Sequence, residues 1–182
     1  MDKVLTAIGT IPIPMLRHIA KSAVEALVYL SEELGMVHRD VRPACIFLNS
    51  HGEVKLGGFQ LSTGLDSLSA SSSAETEIRV ARYYSPCRVV GMPPSSRGDL
   101  WSLGISLLEM ALGKHPYADH QTYADLLDAI SRGPVPTVPD TVDFTPSFRA
   151  MIEQCLGLVW EPQVSLRGFQ VSHWQPTTGS TD

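Results

Sequence analysis

The run Leu100 to Leu112 reads L-W-S-L-G-I-S-L-L-E-M-A-L and is apolar on nearly every face of a helix. Such a helix has no side to show water, so other elements must wrap it. It is too short to span a bilayer and carries Glu109. Gly113, Lys114 and Pro116 end it. The chain must therefore build a mainly helical body around one buried axis. With 182 residues, 43% of them hydrophobic, it can bury one core, and one domain is the natural count.

A second pattern lies upstream. Leu16, Ile19, Ala23, Leu27, Leu30 and Leu34 recur at helical spacing and Gly35 is a stop, which predicts a long helix over 14–35. Ile46-Phe47-Leu48 and Val54-Lys55-Leu56 alternate around Asn49-Ser50-His51-Gly52, which predicts a β-hairpin over 46–57. The loop 37–45 between them carries His38-Arg39-Asp40-Val41-Arg42-Pro43-Ala44-Cys45. Thr145-Pro146 makes a cap and first turn for a helix with Phe148, Ile152 and Cys155 on one side. The Ser-rich run Leu68 to Thr76 is expected to lack fixed structure, and 175–182 reads as a polar tail.

Charge and cysteine usage exclude several classes. A net charge of -5 and a pI near 5.6 argue against a nucleic-acid surface. No basic cluster of the kind that holds anionic lipid occurs, so no membrane partner is expected. The three cysteines are scattered and lack C-x-x-C spacing, which fits a reduced, cytoplasmic setting. Residues 1–14 lack the positive and apolar regions of a signal peptide.

Three segments, in order, resemble the protein kinase superfamily, and within it the MAP kinase kinase (dual-specificity) family. That family reads H-R-D-V-K-P-S-N-I-L-V-N, where His38 to Asn49 read H-R-D-V-R-P-A-C-I-F-L-N. It reads G-E-I-K-L-C-D-F-G-V-S, where Gly52 to Ser62 read G-E-V-K-L-G-G-F-Q-L-S. Gly98 to Gly113 resemble its S-D-I-W-S-M-G-L-S-L-V-E-M-A-V-G. The resemblance covers 1–174. It implies a mainly α fold within an α+β superfamily, a kinase-like C-terminal lobe with a small β-hairpin. An activation-loop region would occupy 58–87, a central helix 98–113 and C-terminal helices 120–172. Neither the glycine loop G-x-G-x-x-G nor the lysine strand V-A-I-K occurs in these residues, so the N-terminal lobe is expected to be absent. Met1 to Leu5 resembles the helix just after the family's hinge.

The resemblance also implies roles. Asp40 stands where the family's Asp takes the substrate proton, Arg39 where an Arg pairs with a phosphorylated activation loop, and Arg42 where a Lys contacts phosphate. The Asn that holds magnesium is Cys45, and D-F-G is Gly58-Phe59-Gln60. Cys45 and Gly58 thus replace both magnesium ligands with residues expected to be non-functional, and no metal site is expected. Unit charges ~4 Å apart at an effective dielectric of ~20 attract by about 4 kcal/mol. Losing a carboxylate that faces magnesium therefore implies roughly a thousandfold loss of rate or more. His38 reads as a packing residue, and Asp99 as the carboxylate that steadies the catalytic loop's backbone.

Further departures agree. Ser85-Pro86-Cys87 replaces S-P-E, and the Arg that pairs with that Glu is replaced by Ser165, with Arg167 as a shifted alternative. Removing both halves of a buried pair is nearly neutral, whereas removing one is costly. Ile78-Arg79-Val80-Ala81 replaces V-G-T-R. Ser67 and Ser71, four apart like the family's activating sites, read as phosphosites or as part of a plain solvated loop. The family uses ATP and magnesium, and no cofactor is expected here. The expectation is an inactive kinase-like lobe that binds proteins, MAP kinases or an upstream kinase. The alternatives are a truncated MAP kinase kinase that phosphorylates a MAP kinase with ATP, or a product with no selected role.

Overall fold

The computed structural model describes residues 1–59, 74–140, 144–157 and 166. The elements are α1 (Asp2–Ile8), α2 (Ile13–Val28), a π-helical turn (Tyr29–Glu33), a 3-10 turn (Pro43–Cys45), β1 (Ile46–Leu48) and β2 (Val54–Leu56). They continue with α3 (Ala74–Ala81), α4 (Pro86–Val89), α5 (Ser96–Leu112), α6 (Tyr123–Arg132) and α7 (Pro146–Gly157). The fold is mostly helical, with one antiparallel hairpin among the described residues.

Helix α5 is the axis. Leu103, Ile105, Leu107 and Met110 are fully buried, and α2 and α7 pack against it. Its serines bond to carbonyls: the Ser102 hydroxyl donates to the Gly98 and Tyr83 carbonyls, and Ser106 donates to the Ser102 carbonyl, whereas the buried Trp101 Nε1 finds no hydrogen-bond partner among the described residues. Gly104 lets α7 pack tightly against α5, since a Cβ there would lie 2.7 Å from the Cys155 Cβ. The helix begins at Ser96, two residues before the sequence suggests, because the Ser95 hydroxyl accepts from the Gly98 N–H. Among the described residues no helix is long and apolar enough to cross a membrane.

Helix α2 turns Leu16, Ile19, Ala23 and Leu27 inward. The α-helix ends at Val28 rather than running to 35, and a wider π-helical turn follows. The Met36 N–H bonds back to the Leu30 carbonyl, and Leu34 is left 49% exposed instead of joining the apolar stripe.

The hairpin pairs Ile46 with Leu56, Phe47 with Lys55 and Leu48 with Val54. The Asn49 side-chain oxygen accepts from the His51 and Glu53 amides, and Gly52 takes the left-handed conformation (φ +82°) that closes the turn. β2 packs on α2, and the His18 ring bonds the Gly52 carbonyl at 2.6 Å. The Ser-rich run differs in part from its expected lack of fixed structure, because its end enters α3 from Ala74. The rest of that run lies outside the described residues.

Candidate catalytic-loop site

The loop that follows the π-helical turn is fixed from below by α5. Asp99, in the first turn of α5 and 3% exposed, accepts from the His38 N–H with one oxygen and from the Arg39 N–H with the other, both at 2.7 Å. Arg39 has φ +70°, the one positive value at a non-glycine among the described residues. That conformation costs roughly 1–3 kcal/mol, while hydrogen bonds to a charged carboxylate contribute about 1.5–3 kcal/mol each, so the bonds win. From the other side Arg88 donates to the Arg39 carbonyl at 2.7 Å, its guanidinium stacked 3.6 Å over the Tyr84 ring. Burial pushes the Asp99 carboxyl up to about 6, against the pull of its two amide partners.

His38 is fully buried. Its Nδ1 accepts from the Asp40 N–H and its Nε2 donates to the Gly57 carbonyl, which sets the neutral tautomer. Burial lowers its pKa, and the ring packs 4.9 Å from Phe59. Its ring therefore both packs in the interior and ties the loop at Asp40 to the chain at Gly57.

Asp40, the sequence's leading candidate, has both carboxylate oxygens engaged by its own loop. Arg42 Nε donates to Oδ1 at 2.8 Å, and the Cys45 thiol donates to Oδ2 at 3.3 Å. Burial works against the Arg42 charge, but the Asp40 carboxylate more than offsets it, so the Arg42 pKa is raised. Burial, then Asp40, pushes the Cys45 thiol up to about 12, leaving a neutral S–H donor at physiological pH. Gly58 comes up against the same group: a Cβ on it would lie 2.6 Å from the Cys45 sulfur and 3.8 Å from Asp40 Oδ2. The structure thus brings Asp40, Arg42, Cys45 and Gly58 together. Magnesium wants hard oxygen ligands. Position 45 offers a neutral thiol and position 58 no side chain, so these two residues do not fit the ion.

Arg39 belongs to a different side of the loop. Arg39 lines a small cavity with Cys87, Arg88 and Ser95, and its Nε is buried with no hydrogen-bond partner among the described residues. Cys87 is 8% exposed, and the Ser85 hydroxyl caps α4 by accepting from the Arg88 N–H. Gln60, Ser67, Ser71, Ser165 and Arg167 lie outside the described residues.

Sequence reasoning missed a polar cavity of about 140 Å³ beside Arg42, lined also by Arg79, Arg82, Tyr83, Glu109 and His115. The Tyr83 hydroxyl donates to Glu109 at 2.6 Å, and burial raises both pKa values. Burial, helped by Arg82, lowers His115 to about 3. The cationic lining is balanced: Arg42 is paired with Asp40, while Asp2 and Glu109 share the cavity with Arg79 and Arg82. The I-R-V-A segment was a visible signal for Arg79. The contacts of Tyr83 and Glu109 join positions too far apart in sequence to be read from it.

Comparison with known proteins settles the family. Residues 1–173 match the protein kinase domain. The chain belongs to the protein kinase family. This kinase chain is 37% identical over 158 residues to mitogen-activated protein kinase kinase 1 of Arabidopsis thaliana, covering 84% of its own length and 44% of that protein. It is 36% identical over 150 residues to dual specificity mitogen-activated protein kinase kinase sek-1 of Caenorhabditis elegans, with 80% and 44% covered. It is 36% identical over 154 residues to human dual specificity mitogen-activated protein kinase kinase 7, with 81% and 36% covered. The chain spans less than half the length of these curated relatives.

Proposed function

We propose that this MAP kinase kinase-like domain portion does not transfer phosphate and acts through protein binding. The observation that carries the reading is the state of Asp40. A base that must accept a substrate proton instead has one oxygen in an ion pair with Arg42 and the other bonded to the Cys45 thiol. Cys45 and Gly58 offer magnesium no side-chain oxygen, so the two family positions that would bridge the metal to ATP are both lost. The names of the relatives make MAP kinases or an upstream kinase the natural partners. Three buried cysteines outside disulfides are consistent with a reduced, cytoplasmic setting.

An active reading has two observations in its favour. The Asp99 bonds that shape the His38–Arg39 turn are in place, and the chain corresponds to part of longer relatives. Further chain would not change residues 45 and 58.

The test is a thermal-shift titration of residues 1–182 with ATP and magnesium, run beside a MAP kinase phosphorylation assay. The expected result is no saturable, magnesium-dependent rise in the unfolding midpoint and no transfer above the Asp40→Ala background. A ligand that binds only the native state must raise that midpoint. A saturable rise together with Asp40-dependent transfer would overturn the proposal.

A further inference from the structure

Two residues of β1 and its approach stand against two glycines that follow β2. The Cys45 sulfur lies 2.6 Å from where a Gly58 Cβ would be, and the Cys45 Cβ lies 3.2 Å away. Phe47 does the same one step along: its Cε2 is 2.8 Å from where a Gly57 Cβ would be. In the family pattern quoted above, position 47 is Leu, 57 is Cys, 45 is Asn and 58 is Asp. This chain has the larger Phe opposite a lost side chain at 57, and a thiol occupying the space beside a lost side chain at 58.

We propose that Cys45 and Gly58 form a steric lock, in which the thiol fills the room that a side chain at 58 requires, with Phe47 over Gly57 as a movable cover beside it. The two pairs differ in freedom. Cys45 is 4% exposed and tied to Asp40 through its S–H, so moving its sulfur means repacking a buried neighbourhood and giving up that bond. Phe47 is 55% exposed and can swing its ring into solvent. Gly58 also sits at φ +85°, where any L side chain is strained whatever the space around it. The lock is a property of packing. It goes beyond the proposal of inactivity and does not depend on it.

A pair of double-mutant cycles on residues 1–182, read by chemical denaturation, tests this. Gly58→Ala adds one methyl group. The backbone strain is the same in both backgrounds, whereas the clash with sulfur exists only when Cys45 is present. The methyl is expected to lower the folded-to-unfolded ratio roughly tenfold more in the native background than in the Cys45→Ala background. Gly57→Ala, placed with and without Phe47→Leu, is expected to act almost additively because the ring moves away. If Gly58→Ala does not fold with Cys45 present, recovery of folding on adding Cys45→Ala supports the lock. Failure in both backgrounds, or additivity of positions 45 and 58, overturns it. Additivity would leave the proposal of inactivity standing, and phosphate transfer by the native chain would leave the cycles unaffected.

Discussion

Asp99 gives two oxygens to two amides, and each oxygen has one task. In Asp99→Asn the side-chain NH2 must face one of the N–H groups of His38 or Arg39, putting donor against donor in a buried place. Leaving one buried donor unsatisfied costs about 1–3 kcal/mol, and the charge assistance of the other bond is lost as well. Urea denaturation is expected to show a loss of about 2–4 kcal/mol, with the left-handed turn at Arg39 relaxing. His115 makes a pH prediction at the same scale. Burial holds its folded pKa at about 3, below the ordinary 6.5, so the unfolded chain takes up the proton first. Its contribution is complete above pH 6.5 and is lost as pH falls toward 3, roughly 2–3 kcal/mol between pH 7.5 and 4.5. Asp99 works the other way, because its folded pKa of about 6 lies above 3.8 and its contribution grows as pH falls through that range. A His115→Gln variant isolates the first effect: its stability is expected to fall less than the native chain's over the same interval.

At the scale of elements, α5 bears the load of packing. Leu107 is fully buried, and Leu107→Ala is expected to cost ~2–5 kcal/mol, read as a lower midpoint in denaturant. An unchanged midpoint would contradict the burial. This helix was legible in the sequence because a run apolar on all sides admits one placement. Its first turn was less so, since the Ser95 cap depends on backbone geometry that periodicity does not carry. The same limit explains α2. A stripe continued through Leu30 and Leu34 looks the same before an α-turn and a π-turn, and the difference lies in which carbonyl each N–H reaches. Residues 74–81 were obscured by the Ser-rich composition just before them, although Ala74–Ala81 forms a helix. At the site, the order of His38, Arg39, Asp40 and Cys45 was plain. That Arg42 and Cys45 turn back onto Asp40, and that Arg88 reaches the Arg39 carbonyl, depends on three-dimensional closure.

Across the whole molecule, the candidate site is an outgrowth of the core. Asp99 belongs to the buried axis, and the loop it holds leads directly into the hairpin that rests on α2. The turn at Arg39 should therefore survive as long as α5 stays packed, and core variants should disturb the loop without touching it. Cys45, Cys87 and Cys155 are all buried and none is in a disulfide. They lie at the base of the hairpin, in α4 and in α7, so the molecule carries built-in reporters of its own breathing. A sealed thiol meets an alkylating reagent only when its surroundings open, and its labelling rate relative to the unfolded chain measures that opening. Cys87, at 8% exposure beside a cavity, is expected to label first. Cys155, at 1% and wedged against α5, should wait for global unfolding, with mass spectrometry assigning each site. A single common rate would mean that hairpin, α4 and α7 open as one cooperative unit.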